Sequence, residues 1–216
     1  MFDTIVRFFQ EGGVFMYPIA VVLLLGMAIA IERFIYLTAT KSSNRSAFDK
    51  GLLPLLQKRD YNSALKFADS SATAIAAIVG AGLRRLKGKG DREEIEYAME
   101  EGLMETLPRL EKRTQYLATL ANVSTLLGLL GTIIGLIAAF TAVANADPAE
   151  KANLLSQSIS VAMNTTAFGL MSAIPLLLLH SVLQTKTNEI VDSFEMAGVK
   201  LLNLLSDSSS SSKQDA

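Results

Sequence analysis

Three long stretches without a charged side chain constrain this chain more than anything else it carries. The first runs from residue 12 to residue 31 and closes on Glu32-Arg33. The second runs from residue 114 to 146, and the third lies between Lys151 and Lys186 with His180 near its end. A helix of twenty residues is about 30 Å long, the thickness of a bilayer's hydrocarbon core. Half of the 216 residues are hydrophobic, and the apolar excess is gathered into these blocks, so the chain reads as a multi-pass membrane protein. The expected fold is all-α: three transmembrane helices, with long helices extending into the cytoplasm because the second and third blocks exceed one bilayer thickness. A cleaved signal peptide is the competing reading of the first block. A retained helix is expected, since the block is longer than a signal h-region, follows Glu11, and lacks an A-x-A site.

Basic residues set the expected orientation. Lys41, Arg45 and Lys50 follow the first span, and Arg109, Lys112 and Arg113 precede the second. The connection between the second and third spans holds only Lys151, and the N-terminus only Arg7. The positive-inside rule then puts the large loop in the cytoplasm, the N-terminus outside and the C-terminus inside. The expected organisation is an N-terminal interfacial helix over 1–13, with a disordered segment as its alternative, then a first transmembrane helix over 14–38. A cytoplasmic helical domain follows over 39–113, a second transmembrane helix over 114–146, a short outer loop over 147–153 and a third transmembrane helix over 154–186. A cytoplasmic helix over 187–205 and a disordered serine-rich tail over 206–216 complete the chain.

Inside the cytoplasmic domain the apolar positions recur at helical spacing. Phe48, Leu52, Leu55 and Leu56 form one set, Leu65, Phe67 and Ala68 a second, and Ile75, Ile78, Val79 and Leu83 a third. Gly88-Lys-Gly90 breaks the run. Asp91 with Glu94 resembles a capping box, and Ile95, Ala98, Met99, Leu103, Leu107 and Leu110 continue as one stripe. Pro108 is expected to kink this helix without ending it.

Several function classes are excluded or disfavoured. A net charge of -1 gives no footprint for nucleic acid, and without cysteine there is no thiol chemistry. One histidine, His180, cannot build a His/Cys metal cluster. The acids Glu93, Glu94, Glu96, Glu100, Glu101 and Glu105 read as a solvated helix face. The stretch from Gly82 to Lys89 has the wrong spacing for a phosphate loop, and Gly90 stands where a hydroxyl residue is needed. No catalytic constellation is present, so an enzyme is not expected, and no cofactor is called for.

Chemistry is concentrated in two hydroxyl-bearing faces. On the second span Thr125, Gly128, Thr132, Gly135 and Ala139 share a face, and Gly131-x-x-x-Gly135 adds a close-packing signature. On the third span Ala162, Thr166, Gly169 and Ala173 align, with Thr165 at the edge. Neither face contains a carboxylate. Membrane threonines also bond their own helix carbonyls and small faces also serve packing alone, so spacing leaves both readings open. Asn164 and His180 are the other polar candidates for a wet cavity, with an interfacial place as the alternative for His180.

The stretch Gly128-Leu-Leu-Gly-Thr-Ile-Ile-Gly-Leu136 resembles the second-span motif of the ExbB/TolQ/MotA energy-transducing channels. Thr165-Thr-Ala-Phe-Gly-Leu-Met-Ser-Ala-Ile-Pro175 resembles their last-span motif. Span count, order, the large cytoplasmic loop and Glu32-Arg33 resemble the ExbB/TolQ branch, closest to ExbB, whereas MotA-type stators have four spans. The resemblance implies a homopentameric ring whose second and third spans surround the single-span helix dimer of an ExbD- or TolR-like partner. That partner would carry the aspartate that Thr132 and Thr166 face. It also implies packing roles for Gly128, Gly131, Gly135, Gly169 and Pro175. Val161 departs from the pattern, which usually has glutamate there, and the doubled Thr165-Thr166 is unusual for ExbB.

The expectation is an inner-membrane motor subunit that converts the proton motive force into work on a TonB-like protein for outer-membrane transport. A TolQ-like role in envelope constriction and a non-conducting scaffold are the alternatives. Sodium is the alternative ion, with Thr165 and Thr166 as adjacent hydroxyl ligands beside the partner's acid.

Overall fold

The computed structural model describes residues 12–144 and 146–214, with side-chain surroundings as far as residue 206. Apart from Gly12 and Gly13, the interfacial segment expected over 1–13 lies outside the described residues. The described chain is almost entirely helical: α1 (Met16–Ser46), a π-helical turn (Ala47–Leu52), α2 (Leu53–Gln57), α3 (Tyr61–Ser70), α4 (Ala74–Lys87), α5 (Arg92–Glu111), α6 (Thr114–Ala144) and α7 (Lys151–Gln214). Three of its helical stretches are long and apolar enough to cross a membrane, and only 22%, 17% and 28% of their most apolar windows are buried. Surfaces that apolar, left uncovered by the chain itself, call for lipid or other helices.

Two compact units divide the chain. The first comprises residues 1–33 and 113–183, and the second residues 34–112 and 184–216. In the first, α1 packs on α7 where Leu176 covers Gly26, and α6 packs on α7 through glycines. The second is built on the expected stripes: Phe48, Leu52, Leu56, Ile75, Ile78, Val79, Leu83, Ile95, Met99 and Leu110 are all buried. Phe194, Ala197 and Leu201 of α7 are buried in the same unit. Lys186 and Lys200 lay their ammonium groups over the Phe34 and Phe48 rings, 4.7 and 5.5 Å from the centroids. Lys41 donates to Glu189 at 2.6 Å, and this bond holds the exposed carboxyl below the ordinary glutamate range.

The helix boundaries have local causes. Proline at 54 lacks an N–H, and its ring crowds the carbonyl four residues back. The preceding turn widens accordingly, with the Leu53 N–H reaching the Phe48 carbonyl. Helices α2 and α4 end on cations in the left-handed region, Arg59 (φ 58) and Lys89 (φ 62). The Asp60 and Gly90 amides close back on Leu55 and Arg85, and positive charge suits a helix C-terminus. The break at Gly88-Lys-Gly90 is therefore present, but lysine takes the left-handed position. Gly90 is needed for space, since a Cβ there would meet the Arg85 carbonyl at 3.1 Å.

Three boundaries differ from expectation. Pro108 sits within α5, which runs on to Glu111 before the chain breaks at Lys112 and Arg113 (φ 66). Proline leaves the Met104 carbonyl without its usual donor, but its own carbonyl still accepts from the Lys112 amide at 3.1 Å, so the last turn closes past it. The helix that carries the third apolar block begins at Lys151, three residues before the start expected for the span at 154. There Asp147 accepts bonds from the Glu150 and Lys151 amides and folds the Asp-Pro turn tightly. Finally, α7 is continuous through Gln214, across the expected junction at 187 and into the serine run. Extending an existing helix avoids the nucleation cost, and serine is only mildly unfavourable within one.

Helix α4 shows how a cap can come from far away in sequence. Thr73 precedes it and offers no side-chain cap. Instead Asn44 of α1, 4% exposed, accepts from the Ile75 amide at 2.8 Å and donates to the Thr40 carbonyl at 2.8 Å. Asn44→Ala is expected to cost about 1–2 kcal/mol of stability, because it orphans a buried amide at a helix start. Thermal unfolding in detergent measures this, and an unchanged midpoint would remove the remote cap from the account.

Candidate ion pathway

The site stands on a crossing of α6 and α7 made possible by missing side chains. A Cβ added to Gly169 would lie 2.8 Å from the Ser124 carbonyl oxygen and 2.9 Å from the Gly128 Cα. One added to Gly128 would lie 3.3 Å from the Thr165 carbonyl oxygen. Further along, Gly131 receives the Thr165 methyl, and Gly135 faces the Ala162 Cβ at 3.0 Å. The helices run antiparallel with backbones nearly touching, as small-residue faces in membranes allow. Ser124, fully buried, adds a hydroxyl bond across to the Gly169 carbonyl at 3.2 Å. Threonine spacing did not single out Ser124, although it lies one turn before Gly128 on the same face.

This closeness brings Thr132 and Thr166 together. Their hydroxyls are in direct contact. Thr132 Oγ1 lies 3.2 Å from the Gly128 carbonyl and 3.1 Å from that of Ala162, and Thr166 Oγ1 lies 3.0 Å from the Gly128 carbonyl. Four oxygens therefore cluster with only two hydroxyl protons among them. Both threonines are half-buried, at the edge of the crossing and not sealed within it. A hydroxyl is donor and acceptor at once, so the cluster can donate to a carboxylate or accept from a protonated carboxyl without rearranging its backbone.

The other candidates fall elsewhere. Thr165 is 2% exposed and turns towards α1, donating to the Gly12 carbonyl at 2.6 Å and to its own Val161 carbonyl at 2.9 Å. These two carbonyls hold its hydroxyl apart from the Thr132–Thr166 pair. Val161 borders the turn before α1, where a Cβ on Gly13 (φ 75) would meet its Cγ1 at 3.2 Å. Thr125 bonds back to the Ala121 carbonyl at 3.2 Å. Asn164 is half-buried and about 200° around the helix from Thr166. His180 lies about 21 Å along α7 from Thr166, too far to share a proton with it. Pro175 is half-buried within α7 and leaves the Met171 carbonyl without its usual donor. Among the described residues no cluster of His, Cys, Asp or Glu offers a metal site.

Comparison with known proteins identifies the family. Residues 70–196 match the MotA/TolQ/ExbB proton channel family. A biopolymer transport protein ExbB homolog of Methanothermobacter thermautotrophicus is 30% identical over 90% of this chain and 68% of its own length. A biopolymer transport protein ExbB-like 1 of Synechocystis is 28% identical over 89% of this chain and 76% of its own. The Tol-Pal system protein TolQ of Haemophilus influenzae is 34% identical, over 45% of this chain and 42% of its own.

Proposed function

Because the chain belongs to the MotA/TolQ/ExbB proton channel family, we propose that it is the ring-forming subunit of a proton-driven motor in the bacterial inner membrane. The carrying observation is the oxygen cluster of Thr132 and Thr166, which can serve either protonation state of a carboxylic acid and has no acid of its own. A second polypeptide supplies that acid: a single-span, ExbD-like helix dimer inside a homopentamer of this chain. A proton neutralises its aspartate, the neutral acid leaves the hydroxyls it had accepted from, and the ring advances one step. One charge crossing 100 mV releases about 2.3 kcal/mol, and each pH unit adds about 1.4 kcal/mol. A few protons then suffice to remodel a TonB-like protein that works on outer-membrane transport. The N-terminus faces the periplasm and the C-terminus the cytoplasm.

The proton is the ion proposed. The sodium version relied on Thr165 and Thr166 acting as neighbouring ligands, and Thr165 is committed to Gly12 and Val161. A TolQ-like role in envelope constriction draws on the TolQ similarity and uses the same motor with a different client.

The test is proton uptake into vesicles holding this chain with its single-span partner. Uptake is expected only when both are present and the partner's membrane aspartate is intact. Equal uptake with the partner's aspartate changed to asparagine would sink the mechanism, and no uptake in any combination would leave a scaffold.

A further inference from the structure

Helix α6 carries Thr132 about 27 Å from its first residue, with no proline or break between. A displacement at the root of such a rod reaches the hydroxyl undiminished. The contacts at its crossing with α7, the Ser124–Gly169 bond and the Thr165 methyl against Gly131, act along the middle of the rod. The placing of its first turn falls to contacts at the root.

The root is Arg113. It sits in the left-handed region at φ 66, a conformation unfavourable for a residue with a Cβ, and strain of this kind persists where surrounding contacts enforce it. A single guanidinium nitrogen, Nη1, donates to both Glu32 oxygens, at 2.6 and 2.8 Å, at the end of the apolar part of α1. The neighbours on each side are polar and buried: Arg33 is 4% exposed and Thr114 2%, with the Thr114 hydroxyl lacking a partner. Glu32 and Arg113 are themselves about half exposed, so their pairing contributes little to stability. Its geometric effect is larger, because one guanidinium nitrogen held between both oxygens of a carboxylate ties the root of α6 to α1.

We infer that Glu32, through Arg113, is a positioning residue that sets the register of the second span and so aligns Thr132 with Thr166. The inference rests on the proposed channel reading for its consequence, but not for its geometry. Misplacing a reacting group by about 1 Å costs up to about a hundred-fold in rate. Loss of the latch is accordingly expected to cut partner-dependent uptake at least several-fold while leaving the melting temperature almost unchanged.

The chain has no cysteine, so a disulfide between Gly135→Cys and Ala162→Cys reports α6–α7 register cleanly in the assembled complex. In that background, Glu32→Arg and Arg113→Glu are each expected to slow cross-linking and lower uptake, and the double reversal is expected to restore both. Arg113→Gly separates the pairing from the strain, since glycine accepts the left-handed backbone but cannot hold Glu32; it is expected to behave like Arg113→Glu. Wild-type cross-linking in both single reversals would overturn the latch. So would a double reversal as poor as the worse single, or an Arg113→Gly variant equal to wild type. Cross-linking reads register whether or not any proton moves. A complex that cross-links normally and responds to the reversals, yet takes up no protons, removes the channel reading and leaves the latch standing.

Discussion

Thr132→Val and Thr166→Val each reduce partner-dependent proton uptake to below about a tenth of the wild-type rate, with α6 and α7 still packed. Valine keeps the branched shape and removes the one group able to answer a carboxyl in both protonation states. Hydrogen bonds between membrane helices average about 0.6 kcal/mol, and the Gly128 and Ala162 carbonyls keep their intrahelical donors, so the fold loses little. Function loses more, because the hydroxyls touch each other and share the Gly128 carbonyl, and neither can take over the other's contacts. Residues that act as one unit are not additive, so the double variant is expected to be no worse than either single. Thr132→Ser retains the oxygen and is expected to retain most uptake. Full uptake in both valine variants would reduce the pair to a packing contact.

The parts of this molecule legible in the sequence are those set by composition and period. Three uncharged blocks announce three helices able to span a membrane, and the stripes from Phe48 to Leu110 mark the buried faces of the second unit, because burial imposes a 3.6-residue repeat wherever one face is dry. The meeting of Thr132 with Thr166 was foreshadowed by small residues at steps of three and four, since only such faces let two backbones touch. Pairwise geometry was less visible. Thr165 and Thr166 are adjacent in sequence but about 100° apart on the helix, and that rotation alone sends one hydroxyl to Gly12 and the other to Thr132. The Asn44 cap joins residues thirty-one positions apart, and a tertiary partner leaves no local signature. The break at Arg113 was masked by Pro108, the stronger breaker on paper; a proline within a helix costs one bond and a kink, whereas a left-handed residue ends the helix.

Gly169→Val separates α6 from α7 and eliminates uptake, and no relaxation of side chains rescues it. The first atoms a Cβ would meet belong to the backbone, the Ser124 oxygen at 2.8 Å and the Gly128 Cα at 2.9 Å. A flexible side chain can swing aside, but two helix backbones have to move apart as bodies. Overpacking of this kind costs about 1–3 kcal/mol, and the outward shift breaks the Ser124–Gly169 bond and parts the two threonines. Gly131→Ala is expected to be milder, since its neighbours are the Thr165 and Phe15 side chains. Gly198→Ala is the control: it is buried, but the nearest neighbour of an added Cβ, the end of Met99, is at an ordinary 3.6 Å, and alanine in a helix that has room for it gains up to about 1 kcal/mol over glycine. Uptake and melting temperature should therefore fall most for Gly169→Val, less for Gly131→Ala, and not at all for Gly198→Ala. An active, stable Gly169→Val variant would mean that the helices do not cross at this point, and the hydroxyl cluster built on that crossing would go with it.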